Sequence, residues 1–232
     1  MKKLKIGIIG VGRLGYEHAC NIANRVPGSE LVAIADANFD RAKQVAEELG
    51  VTAVYNDPKD LCADPNVEAV AIITNTASHV EMIKIAMDAG KHVFCEKPLA
   101  DPVEKCKEAE AIIAAHPELT FMLGFMRRYD HSYQVAKKKM ENGDIGDVIL
   151  VRCYSQDPIS IIEGTLEYAP RSGGQFIDMS IHDFDLIRWL TGSEVKELWA
   201  TGGCYEFKQY KDWDDGDNVS GLMKMENDAM AF

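Results

Sequence analysis

Lys5-Ile6-Gly7-Ile8-Ile9-Gly10-Val11-Gly12-Arg13-Leu14-Gly15 decides the fold of this chain, because an apolar run of strand length leads straight into G-x-G-x-x-G and a helix-like stretch follows. A glycine cluster alone also marks ordinary turns; placed between a strand and a helix it reads as a dinucleotide-binding turn. Gly10 permits the tight turn, Gly12 lets backbone approach a pyrophosphate, and Gly15 lets the helix pack on the strand. The N–H groups of Val11, Gly12, Arg13 and Leu14 are then aimed at phosphate, assisted by the positive end of the helix dipole. A second apolar run, Leu31 to Ala35, closes on Asp36, about 20 residues past the last glycine. A carboxylate there accepts the ribose hydroxyls of NAD and repels the 2′-phosphate of NADP. Positions 37 to 40 hold no arginine or lysine that would welcome that phosphate. The predicted cofactor is NAD.

At 232 residues the chain exceeds one average domain, and its 47% hydrophobic and 27% charged residues are an ordinary globular balance. Two domains are expected. A net charge of −12 argues against non-specific affinity for nucleic acid or an anionic membrane surface, which leaves small molecules or protein as partners. No apolar stretch approaches the roughly 20 residues that span a bilayer. Met1-Lys2-Lys3 before an apolar run resembles a leader only until Gly10 and Arg13 interrupt it. The cysteines at 20, 62, 95, 106, 153 and 204 lack C-x-x-C spacing, and several fall in core-like runs. That is the pattern of reduced thiols in a cytoplasm.

The first half alternates short apolar runs with longer stretches of helical periodicity, which predicts a doubly wound parallel α/β sheet of Rossmann type over residues 1–125. Strands are predicted at Leu4–Ile9, Glu30–Ala35, Ala53–Tyr55, Val67–Thr74, His92–Cys95 and Thr120–Gly124, with helices near 13–26, 39–49, 78–89 and 102–115. Gly50 and Gly90 stand where helices would stop; Asp57-Pro58 and Asp101-Pro102 stand where they would start, with proline at the first helical position. After residue 125 a basic helix, Tyr133 to Met140, leads through Asn142-Gly143 to an alternating run, Asp147 to Ser155. An amphipathic helix, Gln175–Leu190, and strand-like runs at Val195–Ala200 and Val219–Met225 follow. Residues 126–232 are thus expected to form an α+β domain with a mostly antiparallel open sheet and helices on one face. Met225 to Phe232 reads as a hairpin whose return strand has just started, so the chain is expected to stop inside that sheet.

Three clusters suit chemistry. Ile73-Thr74-Asn75-Thr76 to His79 sits at the carboxyl end of the fourth strand, where open α/β sheets place ligands. Thr74, Asn75 and His79 there suit a cofactor lining, while Thr76 or Ser78 would serve equally as a helix N-cap. Cys95-Glu96-Lys97-Pro98 ends the fifth strand, a place from which the Lys97 ammonium would serve a nicotinamide crevice; the alternative is a surface lysine. In Asp178-Met179-Ser180-Ile181-His182 the i, i+4 spacing puts carboxylate and imidazole on one face of the predicted helix, an arrangement suited to proton transfer. A helix-surface ion pair and half of a metal site are the alternatives, and the pattern lacks a third and fourth ligand, so no metal is expected. Asp183 and Asp185 also neighbour His182, and its partner carboxylate stays open at this point.

These residues carry a resemblance. Gly10–Gly15, the Glu96-Lys97-Pro98 triplet, Gly124-Phe125-Met126-Arg127-Arg128-Tyr129, and Ser172-Gly173-Gly174 running into Asp178 to Asp185 occur in the order and spacing of the glucose-fructose oxidoreductase/inositol dehydrogenase (Gfo/Idh/MocA) family. The last two motifs most resemble its inositol 2-dehydrogenase branch. The resemblance implies NAD-dependent oxidation of a secondary ring alcohol of a cyclic polyol or sugar, above all myo-inositol to its 2-ketone. It implies Lys97, Asp178 and His182 as the catalytic trio, a cis Lys97–Pro98 bond, Glu96 and Lys97 beside the cofactor, and, more loosely, Arg127 and Asp157 near the polyol and the nicotinamide. Another sugar or polyol dehydrogenase of the family and a catalytically silent NAD-binding sensor are the alternatives. Members usually continue further and complete an open sheet whose exposed face makes a homo-oligomer, so assembly is expected of a full-length form. A natural fragment, a truncated gene product and the ordered part of a longer protein all stay open.

Overall fold

Alternation along β1 (Leu4–Ile9) explains the first unit: Ile8 packs into one apolar cluster and Ile9 into another, as successive side chains of a strand must when both sheet faces are covered. The computed structural model describes residues 2–232 and divides after Gly124 into two units, Met1–Gly124 and Phe125–Phe232. In the first, β1 is followed by α1 (Arg13–Asn24), β2 (Ser29–Ala35), α2 (Phe39–Leu49), β3 (Ala53–Tyr55), α3 (Pro58–Ala63), β4 (Ala69–Ile72), α4 (His79–Asp88), β5 (His92–Cys95), α5 (Val103–Ala114) and β6 (Phe121–Leu123). The six strands are all parallel in the order β3-β2-β1-β4-β5-β6. Ala19 of α1 and Val45 of α2 join Ile8, Ile34 and Ala71 on one face; Leu61 of α3, Ile83 of α4 and Ala109 of α5 join Ile9, Ile72 and Val93 on the other. Each fully buried isoleucine contributes about 1.5–3 kcal/mol.

The predicted doubly wound sheet is present. The fourth strand, Ala69–Ile72, is shorter than the run 67–74, although the Glu68 and Ile73 N–H groups still donate to the Lys5 and Ile9 carbonyls of β1, and α3 adds a short helix where only a start was read. Asp57 caps it by accepting the Lys59 N–H at 2.8 Å, with Pro58 first in the helix. Pro102 is the cap of α5 rather than its first helical residue.

The second unit contains α6 (His131–Glu141), β7 (Leu150–Val151), α7 (Ile162–Tyr168), α8 (Gln175–Asp178), α9 (Ile181–Thr191), β8 (Val195–Gly203), β9 (Asn218–Met225) and β10 (Met230–Ala231). Its sheet runs β7-β10-β9-β8, parallel between β7 and β10 and antiparallel elsewhere. Ile187 of α9 packs with Val151, Met223, Met225 and Ala231 on the inner face. Trp199 and Leu222 are cross-strand partners, 55% and 45% exposed, on the other.

Two expectations change here. The alternating run 147–155 is a strand only at Leu150–Val151, paired with Met230–Ala231 of β10, with Cys153 N–H donating to the Phe232 carbonyl beyond it. The single helix 175–190 is two helices. The Ser180 N–H reaches back five residues to the Gln175 carbonyl (3.0 Å), and the His182 N–H only three, to Met179 (3.3 Å). A wide turn followed by a tight one breaks the 3.6-residue phase, a departure that recurs at functional sites. Simple i, i+4 geometry therefore does not describe Asp178 and His182.

Candidate active site

The carboxyl edge of the first sheet is where β1 and β4 lie side by side and the chain's winding reverses, the switch point at which such sheets bind ligands. The glycine turn stands there. Gly10 adopts φ +89°, open to glycine at no steric cost. A Cβ on Gly15 would lie 2.0 Å from the Gly10 carbonyl oxygen, whereas one on Gly12 would meet nothing within 4 Å. So Gly15 is required by packing, and Gly12 borders open space that a side chain would fill. Arg13 and Leu14 open α1 and are exposed; no side chain caps that helix, so its first N–H groups are left for another acceptor. This is a cradle that fits a pyrophosphate. Asp36 accepts the Val11 N–H through Oδ2 and the Asn38 N–H through Oδ1, both at 2.7 Å, which fixes its carboxylate beside the turn. Arg41, outside the window read for a phosphate partner, folds back: its Nε donates to the Val11 carbonyl at 3.1 Å.

The other residues of this edge divide by exposure. Thr74 and Asn75 follow β4, and Ser78 Oγ hydrogen-bonds with Thr74 Oγ1 (2.7 Å) and the Asn75 carbonyl oxygen (2.9 Å), so it braces the loop instead of capping α4. His79 is 1% exposed, with Nδ1 at 2.8 Å from the Pro98 carbonyl and Nε2 at 3.3 Å from that of Thr74. It ties the ends of β4 and β5 together from below the surface. Lys97 follows β5 and precedes a cis peptide bond to Pro98, as the resemblance implies. Glu96 accepts the Lys97 N–H at 3.0 Å and meets His18 Nε2 at 2.8 Å. Burial pushes the Glu96 carboxyl up, and the His18 hydrogen bond and charge together with the Lys97 N–H outweigh it, so the group lies below its usual range. A Cβ on Gly124 would come within 3.1 Å of that carboxylate. His18 gave no signal in sequence, since its partner is 78 residues away.

In the second unit Asp178 ends α8 and His182 lies in the first turn of α9, its ring edge-on to Phe125 at 6.4 Å. The Ser172-Gly173-Gly174 turn before them has φ +81° and +90° at its glycines, and Asp215 receives the Gln175 N–H at 3.1 Å. Asp183 is held by Arg127 and by Ser155 Oγ at 2.8 Å; Asp185, 5% exposed, makes a two-pronged pair with Arg128 at 2.7 and 2.8 Å. Both neighbouring carboxylates are thus engaged by arginines, and Arg127, expected near a polyol, is committed to Asp183 and Ser155. Asp157 is exposed on a loop that borders a cavity of about 480 Å³ together with Gln175, Met179 and Asp183. No group of three or more candidate metal ligands occurs among the described residues.

Known proteins share this architecture. Residues 4–125 match the family described as an oxidoreductase family with NAD-binding Rossmann fold, and residues 133–232 match the GFO/IDH/MocA C-terminal domain. The chain is 37% identical over 98% of its length to a myo-inositol 2-dehydrogenase of Thermotoga maritima, of which it covers 66%. It is 38% identical over 91% of its length to a scyllo-inositol 2-dehydrogenase (NAD(+)) of Bacillus subtilis, of which it covers 62%. It therefore spans somewhat less than two thirds of these relatives. The crystal structure of scyllo-inositol dehydrogenase from Lactobacillus casei with bound NAD(H) and scyllo-inositol superposes with a TM-score of 0.93 at 40% identity, covering 99% of this chain and 68% of that one.

Proposed function

This chain belongs to the GFO/IDH/MocA oxidoreductase family, and from that premise we propose that it carries the NAD and catalytic residues of a dehydrogenase oxidising a secondary ring alcohol of a cyclic polyol, myo-inositol or scyllo-inositol first. The observation that carries the reading is the glycine cradle with Asp36 fixed beside it, in a chain whose relatives include enzymes named for both inositols. NAD, when bound, supplies the hydride acceptor. The uncapped N–H groups at the start of α1 hold its pyrophosphate, the Val11 N–H being already given to Asp36, and Asp36 takes the adenosine ribose hydroxyls.

His182 receives the hydroxyl proton as the carbinol hydride leaves, and Asp178 orients its imidazole; the commitment of Asp183 and Asp185 to arginines supports Asp178 in that role. The Lys97 ammonium stabilises the developing alkoxide charge. Arg127 acts by holding Asp183 and Ser155 in place, and Asp157, exposed at the rim of the cavity, offers a carboxylate to substrate hydroxyls. Six free thiols fit a reducing cytoplasm, and no helix among the described residues is long and apolar enough to cross a membrane. The uncovered outer face around Trp199, Leu222 and Met230 supports assembly into a homo-oligomer.

The test is NADH formation by the purified chain with NAD and, separately, myo-inositol, scyllo-inositol, glucose and xylose, with NAD binding measured by calorimetry in parallel. Turnover of an inositol is expected; turnover of only an aldose moves the substrate to another reaction of the family, and binding without turnover removes the catalytic reading.

A further inference from the structure

Gln175, the first residue of α8, is held at both ends of its backbone and at its side chain. Its N–H donates to the Asp215 carboxylate at 3.1 and 3.3 Å, and its Nε2 donates to the Tyr210 hydroxyl at 3.2 Å. Its carbonyl receives the N–H groups of Met179 (3.1 Å) and Ser180 (3.0 Å). The bond from Ser180 is the wide turn that separates α8 from α9, so one residue sets both where Asp178 stands and where the helix of His182 begins. Little else fixes this short helix: it buries no residue, and Gly174 before it, at φ +90°, has no side chain with which to cap it. Tyr210 and Asp215 belong to one strap between β8 and β9. A 3₁₀ turn, Lys208–Trp213, is closed by Asp214 in the left-handed region and by the Asp215 N–H on the Tyr210 carbonyl at 3.1 Å, which ties phenol and carboxylate together. Trp213 packs edge-on against the Tyr210 ring at 5.4 Å. Tyr210 is 2% exposed, and a buried phenol needs a hydrogen-bond partner, which Gln175 supplies. Burial holds the phenol above its ordinary pKa against the Gln175 hydrogen bond, and the charges of Asp215, Asp178 and Asp217 add to the rise. Tyr210 therefore lies within electrostatic reach of Asp178. Asp217 is spent at the other end of the strap, on the N–H groups of Tyr205, Glu206 and Phe207.

We propose that Tyr210 and Asp215 are positioning residues: through Gln175 they set the turn between α8 and α9, and with it the placement of the Asp178 carboxylate relative to the His182 ring. The strap gives no group to the chemistry. Its effect is on geometry, and a reacting group displaced by about 1 Å can cost about a hundredfold in rate. This rests on the proposed roles of Asp178 and His182 and adds to them what holds the two in register.

The experiment compares the wild type with Tyr210→Phe, Asp215→Ala and Asp215→Asn, the last of which keeps an oxygen for the Gln175 N–H. Three things are read: kcat and KM with whichever inositol the wild type oxidises, the NAD dissociation constant by calorimetry, and the imidazole nitrogen resonances of His182 by NMR at one fixed pH. Those resonances are identified by their loss in His182→Ala. Circular dichroism checks folding, and Tyr210→Phe, which removes a single buried oxygen, decides by itself if Asp215→Ala is not folded. Asp215→Ala should lower kcat about tenfold to a hundredfold and Tyr210→Phe about threefold to tenfold, with KM and NAD affinity within about threefold of wild type. The His182 resonances should shift in both, and Asp215→Asn should recover most of the loss. Folded variants with wild-type kcat and unshifted His182 resonances would overturn the proposal while leaving the catalytic reading standing. An equal loss from Asp215→Asn and Asp215→Ala, or a fall in NAD affinity as large as the fall in kcat, would overturn it too. A wild type that binds NAD and oxidises no inositol overturns the catalytic reading, and the His182 resonances then decide by themselves whether the strap sets the turn.

Discussion

In the first unit the sheet is all parallel and covered on both faces, with Ile8, Ile34 and Ile72 fully buried; in the second it is mixed, two of its strands are two residues long, and Trp199 and Leu222 stand side by side on an uncovered face. The difference extends to how each unit holds its polar groups. At the rim of the first sheet the shape is set by backbone: Gly10 at positive φ, Gly15 against the Gly10 carbonyl, and N–H groups gathered by Asp36. The second unit relies on side chains far apart in sequence, Arg127 with Asp183, Arg128 with Asp185, and Asp215 with the start of α8. The rim of the first unit is shaped sterically and locally, whereas the polar groups of the second are held electrostatically and over long range. Damage should divide the same way.

The largest effect is expected from the proposed chemistry. His182→Ala and Lys97→Met should each lower steady-state NADH formation by about 10²–10⁴-fold, the usual weight of a positioned acid, base or charge. Turnover within a few-fold of wild type would take these residues out of the reaction. Next comes Gly15→Ala, whose Cβ would sit 2.0 Å from a backbone oxygen; chemical denaturation should show a loss of about 3 kcal/mol, the upper end for overpacking. A variant as stable as wild type would break the steric half of the comparison. Asp185→Asn leaves Arg128 facing a neutral group, and since that arginine is 39% exposed the loss should be about 2 kcal/mol, below the figure for a fully buried pair. If Asp185→Asn costs nothing, the pairs of the second unit are ornaments and the electrostatic half fails.

The smallest effect is a pH dependence. Burial raises the Asp217 carboxyl, yet hydrogen bonds from the backbone N–H groups of Tyr205, Phe207 and Glu206 and from the Asn218 side chain bring it down to about 2. Its folded value lies below its unfolded one near 4. The stabilisation it gives is therefore complete above about pH 4 and lost as pH falls towards 2. Asp217→Asn should flatten that part of the acid limb in thermal melts recorded from neutral pH downward; an unchanged limb would remove Asp217 as the anchor of the 204–207 turn.

Legibility in sequence follows the same division. The strands of the first unit, buried on both faces, stand out as short apolar runs, and β1, β3 and β5 are found residue for residue. The cradle is legible because a glycine turn is a local object whose parts lie within a dozen residues. In the second unit the alternation around β7 records which side chains face inward and says nothing of which strand pairs with it, here β10 in parallel. The break between α8 and α9 is hidden because Met179 and Ser180 are ordinary helical residue types, and only the slip of the hydrogen-bond ladder reveals it. Arg41, His18 and Ser155 are missed for another reason: each meets its partner across at least 28 residues, which no spacing rule reaches.

The central claim is that the glycine rim binds the cofactor while His182 serves the reaction, and the direct test is the NAD dissociation constant of Gly12→Ala and His182→Ala measured side by side by calorimetry. Gly12→Ala, which fills open space beside the turn without touching the fold, should weaken NAD by about tenfold or more, the loss expected when backbone can no longer approach the pyrophosphate. His182→Ala should leave NAD affinity within about twofold of wild type, as a group used only in the transition state must. Equal weakening by both, or a Gly12→Ala variant that binds NAD as wild type does, would contradict the account.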